Sequence, residues 1–258
     1  MAKQTERLFE ENLSNEGYLM KIVQYNHCKD IVVEFQDEYK ARVHTSYRWF
    51  TLGTIKNPYH PSVYGVGIVG NKYQTFINKK QTKEYLSWRR VLGRCFDENF
   101  KEQNQTYQNA ICCKEWLYFE NFYDWLHSQE NFDKWLNGSQ WAIDKDILIK
   151  GNKIYSPETC CLVPKNVNGL FVKCDALRNS LPIGVVKHGS GYLVSCKNPF
   201  TSKHEYFGTH TTEEIAFNKY KKVKENFIKQ VAEEELANGN IIKECYEAMM
   251  KYQVEITD

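Results

Sequence analysis

The sequence predicts an α+β protein in three parts: a small N-terminal antiparallel β module (residues 1–80), a central region of helices followed by a strand-turn-strand-helix unit (81–175), and a C-terminal three-stranded sheet with a packing helix (176–258). Three observations predict it. Apolar and polar residues alternate over 18–47 and again over 183–207, the two-residue period of a half-buried strand. Apolar residues recur three and four apart over 84–96 and 211–234, the period of an amphipathic helix. Gly and Pro cluster between these stretches, where both helix and strand are disfavoured.

Residues 1–13 place Leu8, Phe9 and Leu13 among glutamates, a pattern suited to a short amphipathic helix or a frayed arm. Strands are expected over 18–25, 30–35 and 41–47, with a turn at Asn26-His-Cys-Lys-Asp. Gly53, Pro58, Pro61, Gly65, Gly67 and Gly70 then mark a structured loop over 53–73, and polar residues 74–82 read as a linker. Tyr85, Leu86, Trp88, Val91, Leu92 and Cys95 form the apolar stripe of a helix whose other side carries Arg89, Arg90 and Arg94. A second aromatic helix is expected from Cys113 to about Gln129, its stripe being core. A strand over 141–149, a turn at Lys150-Gly-Asn-Lys, a returning strand over 159–163 and a short helix opened by Pro164 make the strand-turn-strand-helix unit. Three short strands follow at 183–186, 191–196 and 204–208. The last helix is capped by Thr211 or Thr212, with Glu214 near its third position, and runs to about Glu234.

Composition bounds the function classes. The chain has 258 residues, 42% of them hydrophobic and 14% aromatic, outside the disordered and low-complexity classes. No run of about 18 apolar residues could span a bilayer, and the start leads into acidic residues rather than an apolar signal core. Neither membrane nor export is expected. Nine cysteines, an odd number without a Cys-x-x-Cys, read as reduced thiols in a cytoplasm. Cys112, Cys113, Cys160 and Cys161 are better buried small hydrophobes than zinc ligands, because adjacent cysteines do not both reach one tetrahedral ion. Nothing orders a Cys, a His and an acid for nucleophilic catalysis, and nothing in the pattern specifies an oligomer.

The net charge of +2 conceals an uneven distribution. Lys and Arg outnumber Asp and Glu by 9 to 4 in residues 17–82 and again in 176–230, stand at 12 to 13 in 83–175, and fall to 2 against 7 in 231–258. Two basic segments thus flank a neutral centre, ahead of an acidic tail. Such segments suit a phosphate-seeking surface or ordinary solvated lysines.

Three blocks in order carry a resemblance: Tyr85-Leu-Ser-Trp-Arg-Arg-Val-Leu-Gly-Arg-Cys-Phe, Cys113-Lys-Glu-Trp-Leu-Tyr-Phe-Glu-Asn-Phe, and Trp141-Ala-Ile-Asp-Lys-Asp-Ile-Leu with the following Gly151-Asn-Lys-Ile-Tyr-Ser-Pro-Glu-Thr-Cys. Together they resemble bacteriophage proteins related to HNH endonucleases. The segment from Leu181-Pro-Ile-Gly-Val through Phe207-Gly-Thr-His-Thr-Thr-Glu-Glu to Lys224-Glu is similar to the APETALA2-type DNA-binding domain that accompanies such nucleases. Residues 17–80 resemble an accessory β module of the same proteins.

The resemblance implies a hairpin and helix around one divalent metal, with a first-strand His activating water. Asp144-Lys145-Asp146 stands where the first strand's Asp-His pair would be, and Asn168 near the helix ligand. Carboxylate and amide oxygens suit Mg²⁺ or Mn²⁺. The base position is Lys145, however, and no His lies between residues 128 and 187. A lysine needs a strongly lowered pKa to act as a base, whereas flanking aspartates favour its charged form. Strand alternation would put Asp144 and Asp146 on one face and Lys145 on the other. Two readings stand: Asp144, Asp146 and Asn168 hold a catalytic metal, or the aspartates cap turns and pair with lysine.

For the C-terminal segment the resemblance implies a sheet face that enters the major groove, with Lys187, His188, Tyr192, Ser195, Lys197, Lys203 and His204 as candidates and the Arg89, Arg90 and Arg94 face as a second surface. Few arginines are present, so binding should be dominated by phosphates. The expected partner is DNA. The alternative is a non-catalytic phage protein that regulates DNA or binds a host antiphage defence protein, for which the aromatic residues would supply interface anchors. Either would act in the host cytoplasm.

Overall fold

The computed structural model describes residues 7–172 and 181–256. The fold is α+β, and it divides into two compact units, Met1–Asp124 and Trp125–Asp258.

In the first unit, β1 (Glu11–Leu13), β2 (Leu19–His27), β3 (Asp30–Phe35) and β4 (Arg42–Thr45) form one antiparallel sheet in that order. Where a short helix or a frayed arm is expected, residues 11–13 form an edge strand, with Glu11 opposite Lys21 and Leu13 opposite Leu19. The alternation of β2 buries Met20 and Ile22 against Ile31, Val33 and Phe35 of β3, and α1 (Tyr47–Thr51) adds Phe50. Tyr47 donates to Glu10 at 2.9 Å beneath the Arg7 guanidinium.

Residues 53–73 contain no regular element, as their Gly and Pro content predicts, yet they are firmly held. The Asn57 amide donates to Asp37 at 2.5 Å. Backbone N–H groups of Asn71 and Lys72 both donate to one Glu120 oxygen, at 2.9 and 2.7 Å. Gly70 makes this clamp possible: its φ is +72°, and a Cβ would lie 2.2 Å from that oxygen.

The expected linker is a two-stranded ribbon, β5 (Phe76–Ile77) and β6 (Lys80–Gln81). Its central residues Asn78 and Lys79 have φ of 49° and 64°, the two positive values a tight hairpin turn needs. Helix α2 (Lys83–Phe96) begins where Thr82 accepts from the Tyr85 N–H and buries Tyr85, Trp88, Val91, Leu92 and Cys95. Asp97 ends it and caps α3 (Glu98–Gln103), a helix the periodicity did not reveal. After β7 (Ile111–Cys112), the second expected helix divides into a 3₁₀ turn at Glu115–Leu117 and α4 (Phe119–His127).

The second unit continues with α5 (Phe132–Asn137), β8 (Trp141–Asp144), β9 (Ile154–Tyr155), β10 (Cys161–Pro164) and α6 (Lys165–Gly169). Strand β8 pairs antiparallel with β10, Asp144 opposite Cys161 and Trp141 opposite Pro164. Then come β11 (Val185–His188), β12 (Gly191–Lys197) and β13 (His204–His210), an antiparallel sheet in chain order, α7 (Glu213–Ala237) and α8 (Lys243–Met250). Thr212 caps α7 by accepting from the Ile215 N–H. The boundary expected near residue 175 lies outside the described residues. Cys161, Val163 and Val167 of the β8–β10–α6 unit share one core with Val194, Tyr220, Ile228 and Cys245 of the segments that follow. The acidic tail belongs to this core, because Ile241, Cys245, Met249 and Val254 are buried.

Candidate nucleic-acid interface

The strand expected over 141–149 stops at Asp144. Asp144 ends it: one carboxylate oxygen accepts from the backbone N–H groups of Asp146 and Ile147, both at 2.8 Å, turning the chain out of the ladder. Alternation therefore fails beyond residue 144. Asp146 sits in the turn rather than two places along a strand.

Lys145 is buried, and its ammonium donates to Asp146 and to the Asn152 carbonyl, each at 3.1 Å. Asn152 knits the rest of the turn. Its amide donates to the carbonyls of Lys145 (2.6 Å) and Ile154 (2.7 Å), and its oxygen accepts from the Ile154 N–H at 3.1 Å. Burial, with the neighbouring Asp146 charge, pushes the Asp144 carboxyl up to about 6. Asn168 lies half-buried on α6, and no hydrogen bond joins it to either aspartate among the described residues.

These residues fit a hard divalent cation poorly. Asp144 spends an oxygen on two backbone donors, and the Lys145 ammonium already supplies positive charge beside Asp146. Among the described residues no group of three His, Cys, Asp or Glu side chains converges. The eight cysteines among these residues are free thiols. Burial raises the Cys160 thiol to about 12, and a hydrogen bond with Cys245 together with burial raises Cys161 as well, the opposite of what a nucleophile or zinc ligand needs.

The β11–β12–β13 sheet has one covered and one open face. Val185, Val194 and Cys196 are buried under α7. The intervening positions face away from it: Val186 opposite Leu193, Ser195 opposite Tyr206, and Lys197 opposite His204. Val186 is 54% exposed and Tyr206 70%. Ser195 Oγ lies 3.2 Å from His204 Nδ1. An apolar centre thus passes into a polar, cationic end, continued by exposed Lys203 in the turn before β13.

The register separates the expected DNA contacts. Ser195, Lys197 and His204 share the open face. Lys187 and Tyr192 are cross-strand partners of the other parity; Tyr192 packs against the core and the Lys187 ammonium stands 4.0 Å above its ring. His188, opposite Gly191, is exposed at the end of β11. Tyr206 and Val186 escaped the sequence reading, although the alternation that buries Val185 and Val194 points to both. Of the first unit's arginines, Arg89 donates to Gln81 at 3.5 Å, Arg94 lies 5.2 Å from the Tyr107 ring centre, and Arg90 is exposed.

No family model, curated protein or solved structure matches the chain. Among the described residues no helix is long and apolar enough to cross a membrane.

Proposed function

We propose that the protein is a phage-type DNA-binding protein of the HNH-related class that does not cut DNA, with the open face of β11–β13 as its DNA surface and the β8–β10–α6 unit as structural support. The observation that carries this reading is the face itself: Val186, Leu193 and Tyr206 at its centre, with Val186 and Tyr206 exposed, and Ser195, Lys197 and His204 at one end. Apolar side chains can meet thymine methyl groups and the cations can meet phosphates. The reading without cleavage is supported by Lys145, which stands at the position of the resembled family's base and whose Nζ is engaged by Asp146 and the Asn152 carbonyl.

The test is to incubate the purified protein with supercoiled and linear duplex DNA in Mg²⁺, Mn²⁺ or chelator, reading mobility shift and cleavage together. A shift without nicking is expected. Metal-dependent nicking that disappears in Asp144→Ala would instead assign a nuclease centre to the hairpin.

A second reading, binding to a host antiphage defence protein, is favoured by the exposed Leu13, Trp49 and Leu52 of the first unit, where Asn12 donates to the Phe50 carbonyl and draws β1 onto α1. Absence of any DNA shift, with co-purification of a host protein lost in Trp49→Ser, would favour it.

A further inference from the structure

The ribbon β5–β6 exposes what a folded chain ordinarily buries. Phe76 is 53% exposed and Ile77 57%, consecutive residues on opposite faces of the ribbon next to a two-residue turn. A two-stranded ribbon has no core of its own, so these side chains gain nothing from the ribbon itself. Its base is nevertheless fixed. The Thr82 N–H donates to the Thr75 carbonyl at 2.9 Å, and the Phe76 ring stands 6.4 Å from that of Tyr85 on α2.

Cations surround the apolar pair. Lys80 is the cross-strand partner of Ile77 and shares its face. Lys79 occupies the second central turn position with φ of 64°, where glycine is the favoured residue, so the turn carries an ammonium at a conformational cost. On the other face Gln81 is opposite Phe76 and accepts from Arg89, whose guanidinium lies 5.9 Å from the Tyr85 ring centre. Neither Lys79 nor Lys80 has an ion-pair partner among the described residues.

We propose that this ribbon is a second DNA contact, entering the minor groove of duplex DNA with Ile77 and Phe76 as an apolar wedge against a base step and with Lys79, Lys80 and Arg89 on the flanking phosphates. Unpaired cations around the wedge complement a polyanion, and an apolar side chain inserted between bases leaves water while kinking the duplex, the cost of unstacking being offset by the added backbone contacts. The inference rests on the DNA-binding reading above but uses a different unit of the chain, so the two can fail separately.

The experiment uses the full chain and a duplex carrying 2-aminopurine, whose fluorescence rises when its base step is unstacked, together with end-labelled duplex to read bending by energy transfer. Wild-type protein is expected to raise the fluorescence and bend the DNA. Phe76→Ser/Ile77→Ser should lose both signals while keeping the wild-type circular dichroism. Lys79→Gln/Lys80→Gln should lower the slope of log affinity against log salt by about 1.8, or about 0.9 per lost phosphate contact. Duplex binding by wild-type protein with a dark aminopurine, or a signal unchanged in Phe76→Ser/Ile77→Ser, overturns the wedge and leaves the sheet surface standing. Failure to bind any duplex overturns both, as it would if the ribbon served a protein or a lipid surface. Loss of the wedge signals with binding unaffected by Lys197→Glu/Tyr206→Ala upholds the ribbon and overturns the sheet reading.

Discussion

Asp144 accepts two backbone N–H groups with one oxygen while its carboxyl is held up to about 6 by burial and by Asp146, against an ordinary value of 3.8. A carboxyl that holds its proton more tightly folded than unfolded weakens the fold once ionised. Stability should therefore rise as the pH falls from about 6 toward about 4, until the unfolded chain takes up the same proton. Asp144→Asn keeps an oxygen for both donors without the charge, so it should flatten this dependence and leave neutral-pH stability equal or higher. Asp144→Ala strands both N–H groups and should cost about 1–3 kcal/mol. Urea unfolding of both variants between pH 4 and 8 checks this; equal destabilisation by Asn and Ala would contradict the capping role. The sequence showed that Asp144, Lys145 and Asp146 were unusual together, but not which was a cap. That depends on the strand ending at residue 144, and an apolar run through Ile147, Leu148 and Ile149 does not reveal where pairing stops.

Elements with strong periodicity were legible and short ones were not. Helix α2 and, apart from β1, the strands of both larger sheets follow directly from apolar spacing, and a threonine cap at residue 211 or 212 follows from residue type, the structure placing it at Thr212. The β5–β6 ribbon was hidden because two-residue strands carry no period, and its turn lacks the glycine that ordinarily announces one. Edge strand β1 was hidden because three residues fit a helical stripe equally well. Two positions test how elements are joined. Gly184, just before β11, has φ of +73° and would place a Cβ 2.0 Å from the Tyr220 ring of α7, so Gly184→Ala should destabilise the second unit by about 2–4 kcal/mol. Asn152→Ala removes three hydrogen bonds from the β8–β9 turn and should cost about 1–3 kcal/mol. Thermal unfolding reads both; a change within about 0.5 kcal/mol in either would contradict the packing described.

At the scale of the molecule, charge counts anticipated two basic segments, and the fold gives each a different unit: residues 17–82 belong to the first, and β11–β13 with most of α7 to the second. The acidic tail proves to be structural. Glu235 accepts from Asn166 of α6 and from Asn240, both at 2.7 Å, and Lys150 pairs with Glu255 at 3.4 Å. Buried Asn131 donates to the Leu162 and Asn240 carbonyls, tying β10 to the turn between α7 and α8. Polar side chains that join distant segments leave no mark in a linear pattern, which is why the sharing of one core by the β8–β10–α6 unit and the C-terminal sheet could not be read from the sequence. Truncation at residue 176 should accordingly unfold the second unit as well as abolish binding, so point substitutions on the open face are the cleaner probe. The most direct measurement is duplex DNA binding by fluorescence anisotropy across a salt series, for wild-type protein and for Lys197→Glu/Tyr206→Ala. Wild-type affinity should fall steeply with salt, and the variant should bind at least about ten-fold more weakly with a shallower salt slope. A salt-independent complex, or a variant that binds as the wild type does, would contradict the proposed DNA surface.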